Sequence, residues 1–386
     1  MGNQLTYLWE DRNVTSRFST AVSLHGHTNR SKESLYFIGD YASRRPLLRW
    51  MMGRLERKAE RKSSITPDFW KGYWTPPLPP LEAFTTERKQ IEDGLGMRSL
   101  ISLTDHDNIE APLLLRVVPE ARRIPVSLEW SLPFEDTVLH LGVHNLPTAE
   151  ASLWLQRMMD YSAQPQPHQL RELLAALVNM PQVLMVFNHP LWDLPNIGKA
   201  GHRRAVRDFL AVANPALHAL ELGGLRTWKE NREVIELAQA YRRPVIAGGD
   251  RHGCEPSALL NLTNSSSFSE FVEEVRQGHS HVLAMPQYGD CTALRVYHSL
   301  LDVIRHYPDH PIGSRNWDER VFHPDAQGVQ RPLCALWKKP PRFITNIFSA
   351  LRLGEAEPVR RTLQLAFNRG SQTPRLELGR GQEAVL

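Results

Sequence analysis

The chain has 386 residues, 41% of them hydrophobic and 23% charged, which is the composition of a folded protein with a sizeable core. The net charge of +4 is small and the basic residues are dispersed, so nucleic acid is not required as a partner. Three widely separated cysteines disfavour both a disulfide framework and a cysteine-rich zinc site, so we expect a cytoplasmic protein. No apolar run reaches the ~18 residues of a membrane helix, so we expect no membrane partner. We also expect no obligate protein partner.

Short β-rich runs alternate with helical stretches from residue 21 to about residue 285, the pattern of parallel strands joined by crossover helices. The predicted strands are Ala21–His27, Ser99–Thr104, Ile124–Glu129, Val138–Val143, Val183–Phe187, Leu217–Leu222, Pro244–Gly248 and His281–Ala284. The predicted helices are Glu87–Gly94, Ala149–Ser162, His168–Val178, His202–Ala213, Trp228–Tyr241 and Ser269–Gln277. Seven or eight such units predict an α/β fold with a closed or distorted barrel.

Three segments lie outside this rhythm. Residues 1–20 are predicted to be an N-terminal extension to a domain of residues 21–290. An insertion at about 35–81 contains the basic run RLERKAERK, expected as a solvated helix face, and the proline-rich TPPLPPLE, expected as a rigid connection. Residues 291–386 are predicted to form a helical appendage, with a helix at Phe343–Phe367 before a disordered polar tail.

The first polar cluster is SLHGHT, in which His25 and His27 are two residues apart on a predicted strand. Side chains at that spacing project to the same face, which also holds Ala21 and Ser23, whereas Val22 and Leu24 point the other way. Two imidazoles can then converge on one metal ion. The motif alone is common and often has no metal.

Two further apolar runs end in polar residues. SLISLTDHDN places Asp105, His106 and Asp107 directly after a strand, on the rim where barrel enzymes carry their chemistry. An aspartate there can instead cap the helix that follows. In RIPVSLEWS, Glu129 closes an otherwise apolar strand, where a buried carboxylate needs a cation or hydrogen-bond donors.

The same pattern recurs three times later in the chain. VLHLGVHNL places His140 and His144 on one strand face, VLMVFNHP ends in His189, and PVIAGGDRHG carries Asp250 and His252. His144 is open to two interpretations, a proton donor near the site or an ordinary partly buried residue. Each cluster alone could be a core histidine or a cap, but six in succession predict a multinuclear site for zinc, manganese or iron.

This ordered set resembles the PHP (polymerase and histidinol phosphatase) family over roughly residues 21–290, the insertion excluded. The resemblance implies a distorted barrel of about seven strands that binds two or three divalent metal ions at its C-terminal rim. It implies that the ligands of one metal are His25, His27, Glu129 and Asp250. Glu129 would bridge to a second metal held by His140 and His189, and His106 and His252 would hold a third, with Asp105 orienting a ligand from behind.

One departure from the family pattern follows His27. The family supplies another acidic or histidine ligand five or six residues later, where TNRSKES offers Lys32 and Glu33. A carboxylate restores the expected ligand type and completes a third metal site, so we favour Glu33. An inward Lys32 would repel a third cation and favour two metals.

The predicted activity is hydrolysis of a phosphate ester by metal-activated water. We expect Glu129, His106, Asp105 and Arg226 to be the catalytic residues. Arg226 is a candidate phosphate clamp, and Arg30, which follows His27, is a second candidate for that role. The expected substrate is a small phosphorylated molecule, nucleotides and oligonucleotides included. Two alternatives stay open: a metal-dependent hydrolase of an amide or lactone, and a non-catalytic binding module.

Overall fold

The computed structural model describes residues 2–35, 71–337 and 342–353, together with Gly53. The basic run RLERKAERK and the polar tail, as well as the second half of the helix predicted at Phe343–Phe367, lie outside the described residues. Within the described part, no helix has the length and apolar character needed to cross a membrane.

Two five-stranded sheets carry most of the strands. The first sheet has the order β1-β12-β11-β2-β5 and the second has the order β10-β9-β8-β7-β6. The strands of the first sheet are β1 (Gly2–Tyr7), β2 (Thr20–Leu24), β5 (Arg98–Ser102), β11 (Leu259–Thr263) and β12 (His279–Ala284). Those of the second are β6 (Val126–Phe134), β7 (Thr137–Leu146), β8 (Leu184–Asn188), β9 (Ala219–Gly223) and β10 (Val245–Gly248).

The helices pack around these sheets. They are α1 (Pro80–Leu95), α2 (Glu110–Leu115), α3 (Ala151–Ala163), α4 (Pro167–Val178), α5 (Lys199–Ala213), α6 (Trp228–Ala240), α7 (Phe268–Arg276), α8 (Thr292–Ile304), α9 (Leu333–Leu336) and α10 (Arg342–Leu353). Helix α6 begins at a capping box, in which the Thr227 hydroxyl accepts from the Glu230 amide and the Glu230 carboxylate accepts from the Thr227 amide. Its predicted range, Trp228–Tyr241, differs from the observed one by a single residue.

The structure is α/β, as predicted, but the described strands do not close into a continuously paired barrel. Strands β6 and β7 are antiparallel and are joined only by Glu135 and Asp136. A parallel crossover needs about a dozen residues or more, so this connection forces a hairpin. Strand β11, which the sequence pattern missed, is also antiparallel to both of its neighbours.

Isolated bridges join the two sheets beside the site. His106 pairs with Glu129 and Gly26 pairs with Arg251, both in parallel orientation. Below these bridges, a buried apolar cluster joins the sheets through side chains of β2, β8, β9, β10 and α7, namely Val22, Leu24, Leu184, Val186, Ala219, Ile246, Phe268, Phe271, Val272 and Val275. The polar side chains that follow the ends of these strands lie beyond this apolar cluster.

The segments predicted as an N-terminal extension and a helical appendage both contribute strands to the sheets. Residues Gly2–Tyr7 form β1, which pairs in parallel with β12. Beyond residue 290 the chain forms the predicted kind of helices, and it also forms an antiparallel pair of strands, β13 (Val321–Pro324) and β14 (Gln330–Pro332). Strand β13 also pairs with β4 (Tyr73–Trp74), which pairs with β3 (Glu33–Ser34), so a small third sheet links distant parts of the sequence.

Candidate metal centre

His25 and His27 follow β2, but not by simple strand alternation. The strand ends at Leu24, and His25 has a left-handed backbone with φ of 61°. The inward residues of β2 are Val22 and Leu24, not Ser23, whose hydroxyl donates to Glu87 on α1. The predicted strand face was therefore wrong, and the turn at His25 is what directs both imidazoles into the site.

Glu129 lies at the centre of the site. The sequence predicted that Glu129 closes its strand, but it lies within β6, and its side chain is fully buried. One oxygen, Oε2, is 3.0 Å from His25 Nε2 and 3.3 Å from both His27 Nε2 and His106 Nε2. The other, Oε1, is 3.0 Å from His189 Nε2 and 3.4 Å from His140 Nδ1. The two oxygens of one carboxylate thus face two different sets of histidines.

Glu33 and Lys32 occupy different environments. Glu33 Oε2 is 3.1 Å from His252 Nε2 and 3.4 Å from His106 Nε2, and Glu33 Oε1 is 3.6 Å from His27 Nδ1. The Lys32 side chain is exposed, and its ammonium lies 5.5 Å from the centre of the Tyr73 ring. The structure therefore places the carboxylate, not the ammonium, among the histidines.

Asp250 connects the histidine cluster to Arg226. Its Oδ1 lies 3.7 Å from both His25 Nε2 and His27 Nε2, while its Oδ2 accepts a hydrogen bond of 3.1 Å from Arg226 Nη2. The guanidinium of Arg226 also stacks on Trp192, 4.1 Å from the ring centre. Arg226 is therefore fixed at the edge of the cluster, where 17% of its side chain is exposed.

The charges of this cluster shift its pKa values in opposite directions. Although burial lowers the pKa of His106, Glu33 and Glu129 raise it to about 10. Burial raises the pKa of Glu129, but the surrounding histidines hold it well below its usual value, and the same is true of Glu33. Burial lowers the pKa of His140 to about 4, so this imidazole is neutral near pH 7 and available as a ligand.

Two of the candidate residues lie apart from the ligand cluster. Asp105 accepts from the Thr28 amide at 2.6 Å and from the Thr28 hydroxyl at 2.7 Å, so it anchors the turn that follows His27. Burial raises the pKa of Asp105. His144 Nδ1 lies 2.8 Å from the Ser102 hydroxyl, and burial lowers its pKa to about 3, as expected for a neutral core histidine.

Sequence reasoning missed several residues that shape the site. Glu221 Oε1 lies 2.6 Å from His25 Nδ1, and its Oε2 accepts from the His189 amide at 2.7 Å. A side chain at Gly248 would collide with this carboxylate, which explains the glycine there. The signal was the one that identified Glu129, an acid within an apolar strand, here ALELG.

A buried ion pair supports the loop between two candidate ligands. Arg251 stands between Asp250 and His252, and its Nε lies 3.0 Å from Glu87 Oε1. Its other guanidinium nitrogens donate to Gly253 O at 2.9 Å and to His27 O at 3.2 Å. The ion pair thus ties this loop to α1, and the hydrogen bond to His27 O ties it to the loop that carries His27.

The arrangement fits divalent metal ions. Four groups of side chains each offer ligand atoms within 4.8 Å of one another: His27, Glu33, His106 and His252; His25, His27 and Glu129; His25, His189 and Asp250; His106, Glu129 and His140. Two buried atoms in these groups, His27 Nε2 and Glu33 Oε1, have no hydrogen-bond partner. Buried polar atoms are ordinarily paired, so these orphans fit a site built for cations.

Comparisons with known proteins give distant likenesses in fold only. No family model and no curated protein matches the sequence. Similar solved structures include an amidohydrolase from Chromobacterium violaceum with bound sulfate and no metal, 13% identical with a TM-score of 0.35, covering 60% of this chain and 87% of that chain.

Two other solved structures show comparable likeness. PsfC from Pseudomonas syringae PB-5123 is 14% identical with a TM-score of 0.39, covering 57% of this chain and 90% of that chain. A candidate metal-dependent phosphoesterase from Bifidobacterium adolescentis is 14% identical with a TM-score of 0.32, covering 51% of this chain and 90% of that chain. Such values carry no argument about activity, which must come from the side chains of the site.

Proposed function

We propose that this chain is a metal-dependent phosphoesterase of the PHP type that acts on a small phosphorylated substrate, and that its two bridged sheets are a distorted barrel. The observation that carries the proposal is the position of Glu129. Its Oε2 faces His25, His27 and His106, and its Oε1 faces His140 and His189. A carboxylate with histidines on both oxygens is suited to bridging two ions in a hydrolytic centre.

The donor set divides into three ligand groups around this carboxylate. We infer that one ion would be held by His25, His27, Glu129 and Asp250, a second by Glu129, His140 and His189, and a third by Glu33, His106 and His252. Mixed imidazole and carboxylate donors suit zinc, manganese or iron. When bound, such ions supply Lewis-acid catalysis and make hydroxide available near neutral pH.

Arg226 is the residue that favours a phosphoryl substrate. Its guanidinium is held in place by Asp250 Oδ2 and by the Trp192 ring, and 17% of the Arg226 side chain is exposed. Arginine presents donors in a planar fork that matches phosphate oxygens. A guanidinium fixed in advance loses little entropy when an anion binds, so Arg226 would orient the phosphoryl group and balance its charge.

The remaining residues keep this geometry rigid. Asp105 fixes Thr28 behind His27, and Glu221 fixes the imidazole of His25 and the backbone of His189. The Trp192 ring packs edge-to-face against the His189 ring, 5.0 Å away between ring centres. These contacts orient His25, His27 and His189, which is the role that outer residues have in metal enzymes.

Metal analysis and a substrate panel test the proposal together. We expect at least two transition-metal ions per chain after metal-replete expression, and turnover of p-nitrophenyl phosphate or of nucleoside monophosphates that a chelator abolishes. The panel also contains a phosphodiester, an anilide and a lactone. Turnover of only the anilide or lactone would replace phosphoester hydrolysis with the amide or lactone alternative, and bound metal without any turnover would favour a binding module.

A further inference from the structure

The loop Gly223–Arg226, which begins at the last residue of β9, has its backbone held from several sides. Asn231 on α6 accepts from the Gly223 amide at 3.0 Å through Oδ1, and its Nδ2 donates to Gly223 O at 3.1 Å. The Gly224 amide donates to Gly248 O at 2.8 Å. A side chain at Gly224 would come within 2.9 Å of Gly249 O, so only glycine allows this approach. The loop is fixed, and its one long side chain is that of Arg226.

Arg295 supplies the remaining backbone contacts of this loop. It lies in the first turn of α8, in the part of the chain that follows the strand and helix units, and 7% of it is exposed. Its Nη1 donates to Gly224 O, and its Nη2 donates to Arg226 O at 3.1 Å. The guanidinium also stacks on Tyr288, 4.6 Å from the ring centre.

The hydrogen bonds of Arg295 in the described structure all go to neutral oxygens: Gly224 O, Arg226 O, Asp290 O at 3.3 Å and the Thr292 hydroxyl at 3.1 Å. A buried cation held only by neutral groups is costly, and an apolar side chain would often serve stability as well. Stability alone therefore does not explain why an arginine occupies position 295. The two carbonyls it bridges flank the residue that the proposed function assigns to phosphate binding.

We propose that Arg295 is a positioning residue for the phosphate site: it acts through Arg226 by fixing the Gly224 and Arg226 carbonyls. Helix α8 thereby becomes part of the functional site. Arg226 must keep its guanidinium near Asp250 and Trp192 while its own main chain sits on a short loop. Locking both carbonyls removes the loop motion that would otherwise accompany anion binding. This inference rests on the proposed function, because it assumes that Arg226 contacts a phosphoryl group.

Arg276 provides a matched control. This guanidinium on α7 also donates only to neutral oxygens in the described structure, here three backbone carbonyls: Met180 O at 3.2 Å, Val183 O at 3.1 Å and Val178 O at 3.0 Å. Those carbonyls lie before the start of β8, whereas His189 follows its other end. Arg276→Lys therefore removes the same kind of contact near the opposite end of β8 from the site.

The experiment measures the Kd of the metal-loaded protein for inorganic phosphate by calorimetry, with metal content and urea unfolding recorded for each variant. Arg295→Lys keeps the charge but lacks the planar fork by which Nη1 and Nη2 each reach one carbonyl, and we expect it to weaken phosphate binding about tenfold, the effect of weakening one charge-assisted contact, with metal content unchanged. Arg276→Lys should lower the free energy of unfolding about as much as Arg295→Lys does, and it should leave the phosphate Kd unchanged. If Arg295→Lys fails to fold, Tyr288→Leu, which removes the stacking partner of Arg295 and the hydroxyl that accepts from Asn231 Nδ2 at 2.6 Å, should weaken phosphate binding by about threefold, whereas Tyr288→Phe, which removes only the hydroxyl, should not.

A double substitution separates this inference from the proposed function. In an Arg226→Ala background, Arg295→Lys should have no further effect on the Kd, because the two residues act in series. Equal phosphate affinity in Arg295→Lys and Arg276→Lys would overturn the inference alone, as would an undiminished tenfold loss in the Arg226→Ala background. If Arg226→Ala by itself leaves the phosphate Kd unchanged, the proposed phosphate clamp fails, and the role of Arg295 fails with it.

Discussion

Substituting Glu33 by glutamine should remove one metal site and leave the others in place. The change keeps the shape of the side chain and removes its charge. Glu33 is 6% exposed, and its Oε2 lies 3.1 Å from His252 Nε2 and 3.4 Å from His106 Nε2. It is the one carboxylate in the ligand group that contains His27, His106 and His252. We expect metal content to fall by one ion per chain.

The size of the effect follows from these distances. Two unit charges 3.4 Å apart attract by at most about 5 kcal/mol at an effective dielectric constant of ~20. Glu33, together with Glu129, raises the pKa of His106 to about 10 in the metal-free protein. Glu33→Gln should bring the pKa of His106 down toward ~6.5, the value of an unperturbed histidine. Loss of a ligand charge should weaken the third site by about 100-fold or more, since even outer partners contribute 10–100-fold.

Elemental analysis gives the metal content, and NMR titration of the histidine rings in chelated protein gives the pKa. Lys32→Met is the matched control, because Lys32 is the neighbouring residue but its side chain is exposed, with its ammonium near Tyr73. It should leave metal content and the pKa of His106 as they are in the wild type. Wild-type metal content in Glu33→Gln would refute the assignment of Glu33, and metal loss in Lys32→Met would show that the loop is arranged differently.

Three further predictions follow from the buried charges. Glu129→Gln should abolish turnover and leave at most one ion per chain, because both proposed bridged ions lose their shared ligand; two retained ions would contradict the bridge. In chelated protein, the raised pKa of His106 contributes stability that is fully present below pH ~6.5 and is lost as pH rises through about 10. The urea midpoint should therefore fall between pH 7 and pH 10. A urea midpoint that does not change with pH would argue against this charge cluster. Glu87→Gln should cost about 3–5 kcal/mol of folding free energy, since it leaves the buried Arg251 unpaired, and a loss below about 1 kcal/mol in urea unfolding would contradict that pairing.

Much of the local structure was predictable, because apolar periodicity and capping act over a few residues. The predicted strand Pro244–Gly248 and helix His168–Val178 agree with the observed Val245–Gly248 and Pro167–Val178 within one residue at each end. The massing of histidines and acids at the ends of apolar runs also pointed to a site. Such residues have few reasons to accompany buried strands unless they face one another or a cation.

The strand pairing was less predictable. Reading each histidine-bearing run as a parallel strand predicted a closed barrel, whereas the two-residue connection between β6 and β7 requires a hairpin. That connection was visible in the sequence. The antiparallel placement of β11 between β2 and β12 was not, because pairing partners far apart in the sequence are chosen by the packing of the whole sheet.

By itself, the sequence determined which residue types are available to bind metal and roughly where strands and helices begin and end. Tertiary structure decided how they converge. His25 enters the site through a left-handed turn that strand alternation did not predict. Glu33 is placed by pairing with Trp74, which pairs in turn with Val321, 247 residues further along the chain (321 − 74). Local propensity depends on neighbours in sequence, whereas the direction of a side chain into a shared site depends on hydrogen bonds between segments that meet only after folding.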